Sequence, residues 1–165
     1  MKICSISNGY FPYIRGGGEI YVQDIAETIN NNGEYDFFNI SISPVEKNYD
    51  SPEIVNGTRV YRLKPINLFN KYIGYKNNVL YESLWKILTI LDFVTLFKVN
   101  KIIRKEEPDL IHLNAFSFFS PFLLLFLCNR PVIYTIHGRN FNNKKFPKII
   151  NKAYNSFQSF LFSNI

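Results

Sequence analysis

The fold is decided by residues 2–33, which read KICSISNGYFPYIRGGGEIYVQDIAETINNNG. Residues 2–7 form a short apolar run, which predicts a buried strand. A loop rich in glycine and aromatic residues follows. Apolar residues then recur at i, i+3, i+4 and i+7 over 22–29, which predicts a helix from Glu19. Gly33 is the expected stop, because glycine tolerates the left-handed conformation at a helix end.

The same alternation of short apolar runs and helical patterns continues along the chain. Asn56-Gly57 is a tight-turn signal, and the polar residues 44–57 are predicted to form a loop. Pro108 ends the longest helical pattern. This order predicts an α/β fold, a Rossmann-like open parallel sheet with helices on both faces. The remaining predicted strands are 35–43, 58–63, 109–113 and 131–136, and the remaining predicted helices are 79–105, 116–127 and 144–162.

The composition bounds the class of protein. With 165 residues, 47% of them hydrophobic, the chain can build one domain with a real core, which excludes a wholly disordered protein. Cys4 and Cys128 stand in apolar runs without disulfide or zinc-ligand spacing, so we expect buried free thiols and a cytoplasmic protein. The start of the chain does not fit a signal peptide. The apolar run 116–128 is too short for a bilayer span and predicts a buried helix or a membrane-facing surface.

The net charge of +6 favours anionic partners. Phosphorylated ligands, anionic lipid headgroups and nucleic acid all fit this charge. We predict no nucleic-acid partner, because no recognition motif accompanies the charge. The basic residues form two clusters, which are Lys98, Lys101, Arg104 and Lys105, and Lys144, Lys145, Lys148 and Lys152.

The loop after the first strand ends in three consecutive glycines, Gly16, Gly17 and Gly18. Glycines let the backbone approach a ligand without an intervening side chain, and the N–H groups of a helix start attract phosphate. This arrangement predicts a phosphate or diphosphate seat, with a plain flexible loop as the alternative. Glu19 fits a helix-start residue better than a catalytic acid, because a carboxylate repels a diphosphate. The glycine spacing matches neither the dinucleotide fingerprint nor the P-loop, which weighs against dehydrogenases and nucleotide triphosphatases.

The chain's two histidines each stand at or near the end of a predicted strand. We interpret His112 as structural, the commoner role of a single strand histidine. His137 is followed by Gly138, which leaves its imidazole open to a ligand, so we assign it a functional role. Two histidines without cysteine or carboxylate support make a weak metal site, and we predict no metal.

Four motifs follow one another along the chain. They are the Met-Lys-Ile strand, the loop ending Gly-Gly-Gly-Glu, Glu107-Pro108-Asp109-Leu110-Ile111-His112, and Pro131-Val132-Ile133-Tyr134-Thr135-Ile136-His137-Gly138. Their order resembles the family 4 retaining glycosyltransferases. The resemblance covers residues 1 to about 160 and implies the N-terminal half of a GT-B fold. In that fold two Rossmann-like domains face each other across a cleft, and the N-terminal domain mainly binds the acceptor.

The resemblance also implies residue roles. Gly16, Gly17 and Gly18 are expected against the donor diphosphate, together with Gly138. His137 is expected to be the catalytic residue that stabilises charge near the anomeric centre. No cofactor or metal is expected, because the nucleotide-sugar is a substrate and helix dipoles with basic side chains stabilise its leaving diphosphate. Further candidates for the site are Glu19, His112, Asn114 and Arg139.

The sequence departs from the family pattern at several points. Glu34 follows Gly33 where relatives often have Gly-His, and Asn114 stands where relatives often have a second histidine. The chain ends about where relatives enter the strand that completes this domain. We therefore expect residues 1–165 to be a truncated N-terminal domain without its donor-binding domain. Such a chain is expected to be inactive alone, and its C-terminal half is expected to be lost, encoded separately or left out of this sequence.

The expected function is transfer of a sugar from a nucleotide-sugar to a glycan or lipid-linked acceptor, as in polysaccharide biosynthesis. The protein is expected in the cytoplasm or peripherally on the inner face of the membrane. The alternative is a non-catalytic binding module that docks on anionic membrane or on a partner glycosyltransferase subunit. The basic residues 98–105 and the aromatic residues 116–126 motivate this alternative. The sequence leaves the donor, the acceptor and the linkage open.

Overall fold

The computed structural model describes residues 1–14, 16–42, 50–65, 92–114 and 130–135. Strands and helices follow one another in the predicted general order. The elements are β1 (Lys2–Ser7), α1 (Gly17–Asn32), β2 (Asp36–Ile42), β3 (Glu53–Val55), β4 (Thr58–Leu63), α2 (Phe93–Glu106), β5 (Leu110–Asn114) and β6 (Val132–Thr135).

The strands join into one sheet with the order β3-β4-β2-β1-β5-β6. Neighbouring strands from β4 to β6 are parallel, and β3 at the edge is antiparallel to β4. The chain therefore builds one side of the sheet outward from β1 and then crosses back to build the other side. This is the topology of a doubly wound, Rossmann-like sheet. The predicted fold class is confirmed.

Helices cover both faces of the sheet. α1 packs through Val22 and Ala26 on the face that carries Ile3. α2 packs on the opposite face, against Cys4 and Ile6. Successive residues of a strand point to opposite faces, so β1 contributes to both apolar clusters. The α2 side chains in the second cluster are Leu96, Val99, Ile102 and Ile103.

The predicted buried thiol is confirmed for Cys4, which is fully buried and free. Burial, with a smaller contribution from the Glu106 carboxylate, raises the pKa of the Cys4 thiol well above its ordinary value. A thiol in this state is inert, because the thiolate is the reactive form. Cys128 lies outside the described residues.

The boundaries of α1 follow from its end residues. The helix begins at Gly17, two residues before the predicted start. It ends as predicted at Gly33, which is left-handed (φ 69°) and whose N–H donates to the Asn30 carbonyl at 3.3 Å. Glycine carries no Cβ penalty in this conformation, which explains why the helix stops there.

α2 corrects the longest predicted helix. It begins at Phe93 and is capped by Asp92, whose carboxylate accepts from the Thr95 N–H at 2.9 Å and from the Thr95 hydroxyl at 2.7 Å. Asp92 has non-helical angles (φ −79°, ψ 71°), so the prediction of one helix running through it is wrong. Apolar periodicity continues across the cap and conceals the boundary. α2 ends as predicted before Pro108, with Glu107 left-handed (φ 48°).

β3 is a short strand within the segment predicted to be a loop. It pairs with β4 across Asn56-Gly57, and both turn residues have positive φ (47° and 78°). The tight turn is therefore confirmed, and the loop prediction is wrong for Glu53–Val55. Three residues are too few to show an alternating pattern, so the sequence carried no strand signal there.

Several predictions fall on residues that the structure does not describe, namely the helices 116–127 and 144–162 and the segment that contains His137. Among the described residues, no helix is long and apolar enough to cross a membrane.

Candidate functional site

At the centre of the sheet, the connections that follow the neighbouring strands β1 and β5 lead in opposite directions. The chain leaves β1 through α1 to reach β2 on one side, whereas β5 is followed by β6 on the other side. In an open parallel sheet, ligands bind at such a switch point, beyond the carboxyl ends of the strands. The candidate crevice therefore lies beyond the carboxyl ends of β1 and β5, which are Ser7 and Asn114.

α1 begins at this edge of the sheet with exposed glycines. Gly16 is the N-cap and has an extended backbone (φ −167°), which any residue adopts. Among the described residues, a Cβ added to Gly16 would meet the Glu19 carboxylate at 3.8 Å, and a Cβ added to Gly17 would meet nothing within 4 Å. Neither backbone conformation nor packing within the described residues requires glycine at these two positions.

Glu19 lies in the first turn of α1 and folds back onto the N-cap. Its Oε2 accepts a hydrogen bond from the Gly16 N–H at 2.9 Å. A carboxylate at this position also complements the positive end of the helix dipole. The first turn of any helix presents N–H groups without intrahelical acceptors, so this end of α1 is a natural anion seat.

A buried arginine holds the loop that follows β1. The Arg62 guanidinium donates to the backbone carbonyls of Tyr10, at 3.3 Å, and of Phe11. It also pairs with the Glu53 carboxylate and lies over the Tyr13 ring, with 5.2 Å from Cζ to the ring centroid. The side chain is 1% exposed. Arg62 therefore fastens the loop to β3 and β4 and sets the path of the chain toward the glycines.

The sheet face under α1 changes from apolar to polar along the strands. At the carboxyl end, Arg62, Ser41 and Ser7 are register partners on adjacent strands. Asn114 and Thr135 continue this row on β5 and β6. A buried row of polar side chains at the ligand-binding edge of a sheet is typical of a site rather than of a core. The amino-end half of the same face is made of Ile3, Phe37, Val60 and Leu110.

The exit of the chain from β1 is fixed by buried hydrogen bonds. Asn39 Nδ2 donates to the Ser5 carbonyl at 3.3 Å and to the Ser7 hydroxyl at 3.1 Å. The Ser7 hydroxyl donates to the Gly9 carbonyl at 2.7 Å. The loop therefore leaves the sheet in a defined direction.

His112 lies inside β5 and contacts the neighbouring polar side chains. Its Nε2 is 2.7 Å from Thr135 Oγ1, and its Nδ1 is 3.3 Å from Asn114 Nδ2. Because an amide N–H donates, Nδ1 of the neutral ring accepts and Nε2 carries the proton toward Thr135. His112 thereby joins β5 to β6. Asn114 Nδ2 also donates to Ser5 Oγ at 2.9 Å and joins β5 to β1.

Comparison with known proteins identifies the family. The profile of Glycosyltransferase Family 4 matches residues 15–164, most of the chain. The chain belongs to glycosyltransferase family 4. This confirms the resemblance found in the order of the motifs.

A curated relative of this glycosyltransferase domain comes from Klebsiella pneumoniae. It is described as an uncharacterized 42.6 kDa protein in the cps region and is 28% identical over 117 residues. The match covers 71% of this chain and 31% of the relative. The chain therefore spans about a third of the length of the relative it matches.

Members of this family are glycosyltransferases, which transfer a sugar from a donor to an acceptor. The chain carries Gly16, Gly17, Gly18 and Glu19 at the start of α1, and it carries Asn114 at the end of β5. The parallel strands β1, β5 and β6 end at the same edge of the sheet, so Ser7, Asn114 and Thr135 all lie at that edge. The predicted site residues His137, Gly138 and Arg139 lie outside the described residues.

Of the polar row, only Asn114 was a candidate from the sequence, which did not single out Arg62, Ser7, Ser41 or Thr135. A signal for Arg62 was present, because Thr58, Val60 and Arg62 alternate along β4 and share the buried face under α1. An arginine at a position that alternation predicts to be buried must have partners. Among the described residues, no three His, Cys, Asp or Glu side chains are grouped to hold a metal ion.

Proposed function

We propose that the chain is the acceptor-side, N-terminal domain of a retaining glycosyltransferase. It moves a sugar from a nucleotide-sugar to a glycan or lipid-linked acceptor in polysaccharide biosynthesis. Family membership and the relative from a cps region support this proposal. The observation that carries it is the open backbone at Gly16 and Gly17, at a helix start beside the switch point.

In this proposal the start of α1 stabilises the leaving group. Negative charge develops on the donor diphosphate as its bond to the anomeric carbon breaks. N–H groups of the first turn, held in place before the reaction, favour that charge at no cost in reorganisation. His137 acts beside the anomeric centre, with Gly138 and Arg139 near it. The nucleotide-sugar is a substrate, and we propose neither a metal nor a cofactor.

Replacing Gly17 by valine is expected to weaken diphosphate binding without weakening the fold. The new side chain enters space that is open among the described residues, and valine is a slightly better helix former than glycine, by a few tenths of a kcal/mol. We expect an unchanged or higher free energy of unfolding, and a Kd for pyrophosphate or a nucleoside diphosphate that rises about tenfold, or about 1.4 kcal/mol. Isothermal titration calorimetry and urea unfolding measure the two quantities.

Thr28→Ala is the matched control, because Thr28 is exposed on α1 far from the carboxyl edge. It is expected to raise helix stability by about 0.5 kcal/mol and to leave the Kd unchanged. A valine variant that binds pyrophosphate as tightly as the wild type would contradict the proposed seat.

The domain proposal has its own test in sugar transfer. The chain is incubated with labelled nucleotide-sugars, alone and together with the donor-binding half of a family 4 enzyme. We expect transfer in the presence of the second half. Rapid transfer by the chain alone would contradict the proposal that a second half is needed.

A second candidate function is docking on the anionic inner face of a membrane, and the exposed side of α2 favours it. Phe93, Val94 and Phe97 are 51%, 48% and 76% exposed. Lys101 and Arg104 follow on the exposed side, toward the helix end. A helix with exposed aromatic and basic residues fits the interface of an anionic bilayer. In this candidate function the protein acts in the cytoplasm, peripherally on the membrane.

Phe97→Ser tests this docking by flotation with phosphatidylglycerol vesicles at low salt. Because burying a phenylalanine side chain contributes about 2 kcal/mol, we expect the bound fraction to fall several-fold. Ile20→Ser is the control, since Ile20 is 48% exposed on α1, which packs on the opposite face of the sheet. Wild-type protein that does not float with anionic vesicles, or that floats equally with neutral ones, would rule out this candidate.

A further inference from the structure

Asn114 has an acceptor atom without a partner at the switch point. The residue ends β5 and is 2% exposed. Its Nδ2 donates to Ser5 Oγ at 2.9 Å and lies 3.3 Å from His112 Nδ1. Its Oδ1 is buried and has no hydrogen-bond partner among the described residues. Buried acceptors in this state are rare, because their lost hydration is not offset.

The direction of Oδ1 follows from the sheet register. Ser5 is the register partner of His112, which stands two residues before Asn114. Both partners of Nδ2 therefore lie toward the amino end of the strands. The two amide atoms diverge from one carbon, so Oδ1 faces away from that layer, toward the carboxyl edge between β1 and β5.

We infer that Asn114 is a sugar-binding residue whose Oδ1 accepts a hydrogen bond from an uncharged ligand hydroxyl. This inference rests on the proposed function and names one contact in it. An acceptor oxygen pairs with an O–H and repels the oxygens of an ionised phosphate. Asn114 therefore binds the sugar, whereas the N–H groups at the start of α1 bind the diphosphate.

Ser5 and His112 act as positioning residues for this contact. The Ser5 hydroxyl and His112 Nδ1 both accept hydrogen bonds from Asn114 Nδ2. On the other side of the imidazole, His112 Nε2 lies 2.7 Å from Thr135 Oγ1. This arrangement keeps Oδ1, rather than Nδ2, directed at the edge. A preorganised acceptor binds a hydroxyl without first ordering its own side chain.

The test compares hydroxyl discrimination in the wild type and in Asn114→Leu. Methyl glycosides of glucose, galactose and mannose, and their monodeoxy analogues, are titrated by ligand-observed NMR. We expect one deoxy analogue to bind the wild type about five- to tenfold more weakly than its parent, the usual effect of one neutral hydrogen bond. That difference is expected to vanish in Asn114→Leu.

Thr28→Ala is the control. Thr28 is exposed on α1, outside the polar row and far from the carboxyl edge. It is expected to leave the discrimination unchanged. Asn114→Asp keeps the shape and an acceptor oxygen, so it is expected to retain the discrimination if the leucine variant does not fold. Loss of discrimination in folded Asn114→Asp would count against the inference.

Sugar 1-phosphates distinguish the source of the hydroxyl. An Asn114 effect on their deoxy analogues indicates the transferred sugar, and an effect on the glycosides alone indicates the acceptor. Equal discrimination in the wild type and Asn114→Leu, or no binding of either probe by the wild type, overturns the inference. If pyrophosphate still binds and depends on Gly17, the proposed function survives this failure. If pyrophosphate binding is also absent, both fail.

Discussion

Replacing Arg62 by leucine is expected to lower the free energy of unfolding by about 3 kcal/mol. Breaking a buried ion pair by removing one partner costs about 3–5 kcal/mol. The lower end applies here because the Glu53 side chain is 22% exposed and regains some water. The variant also removes the guanidinium N–H groups that donate to the carbonyls of Tyr10 and Phe11. Urea unfolding followed by circular dichroism measures the change.

Two further variants separate charge from geometry. Arg62→Lys keeps the charge but cannot make the forked contacts, so we expect an intermediate loss of about half. Arg104→Ala removes an exposed arginine in the last turn of α2 and is expected to change stability by about 0.5 kcal/mol or less. A loss below about 1 kcal/mol for Arg62→Leu would show that the buried contacts contribute little.

The Arg62 variant also bears on the proposed site. Because its guanidinium holds the loop at Tyr10 and Phe11, its loss frees the segment that leads to Gly16. Binding of pyrophosphate at the start of α1 should then weaken even under conditions where the variant is folded. If folded Arg62→Leu binds pyrophosphate as tightly as the wild type, the position of the glycines does not depend on the contacts of Arg62.

The fold was largely predictable because its signals are local and repeated. Short apolar runs alternate with helical patterns, and this alternation determines a parallel sheet whatever the exact boundaries are. The predicted element boundaries are wrong where a single side chain or a pairing with another strand decides the local structure. One Asp92 carboxylate starts α2 inside a continuous apolar periodicity. The three residues of β3 gain strand structure from pairing with β4, which no local pattern shows.

The glycine-rich start of α1 was predictable from the sequence, whereas the side-chain contacts around it were not. Three consecutive glycines, at residues 16–18, indicated an open helix start, and they form the N-cap and first two residues of α1. The role of Arg62 depends on carbonyls that precede it by about fifty residues, which spacing cannot reveal. Asn114 Oδ1 is left without a partner because Ser5 Oγ accepts from Nδ2 instead. This contact depends on the register between β1 and β5, which the sequence does not show.

Replacing Glu106 by alanine is expected to lower the free energy of unfolding by about 2–4 kcal/mol. The carboxylate accepts from the Tyr61 hydroxyl, from Arg59 Nη1 at 2.8 Å and from Lys2 Nζ at 3.4 Å, and its side chain is 10% exposed. Removing it leaves the buried Tyr61 hydroxyl without this acceptor. Arg59 keeps Asp36, at 2.7 Å, which limits the loss.

Glu106→Gln is expected to reduce the acid sensitivity of the fold. Burial by itself raises the pKa of Glu106, but hydrogen bonds from Tyr61 and Arg59 and the charges of Arg59 and Lys2 outweigh it and hold the pKa below its ordinary value. A carboxyl group with a lowered pKa stabilises the fold above the unfolded pKa, about 4.3, and loses this effect as the pH falls through the folded pKa.

The wild type should therefore lose stability more steeply than Glu106→Gln as the pH falls below about 4.3, by at most about 1.4 kcal/mol per pH unit. The measurement is urea unfolding at a series of pH values, with Glu107→Gln, an exposed neighbour, as the control. The difference in slope reflects the protonation of one carboxyl group. If the free energy of unfolding falls equally with pH in the wild type and in Glu106→Gln, another group causes the acid sensitivity.

The contacts of Glu106 with Lys2, Arg59 and Tyr61 join α2 to β1 and β4 at the amino edge of the sheet, away from the glycine loop. Glu106→Gln should for that reason leave pyrophosphate binding unchanged, which separates the residues that stabilise this fold from those proposed to bind its ligand.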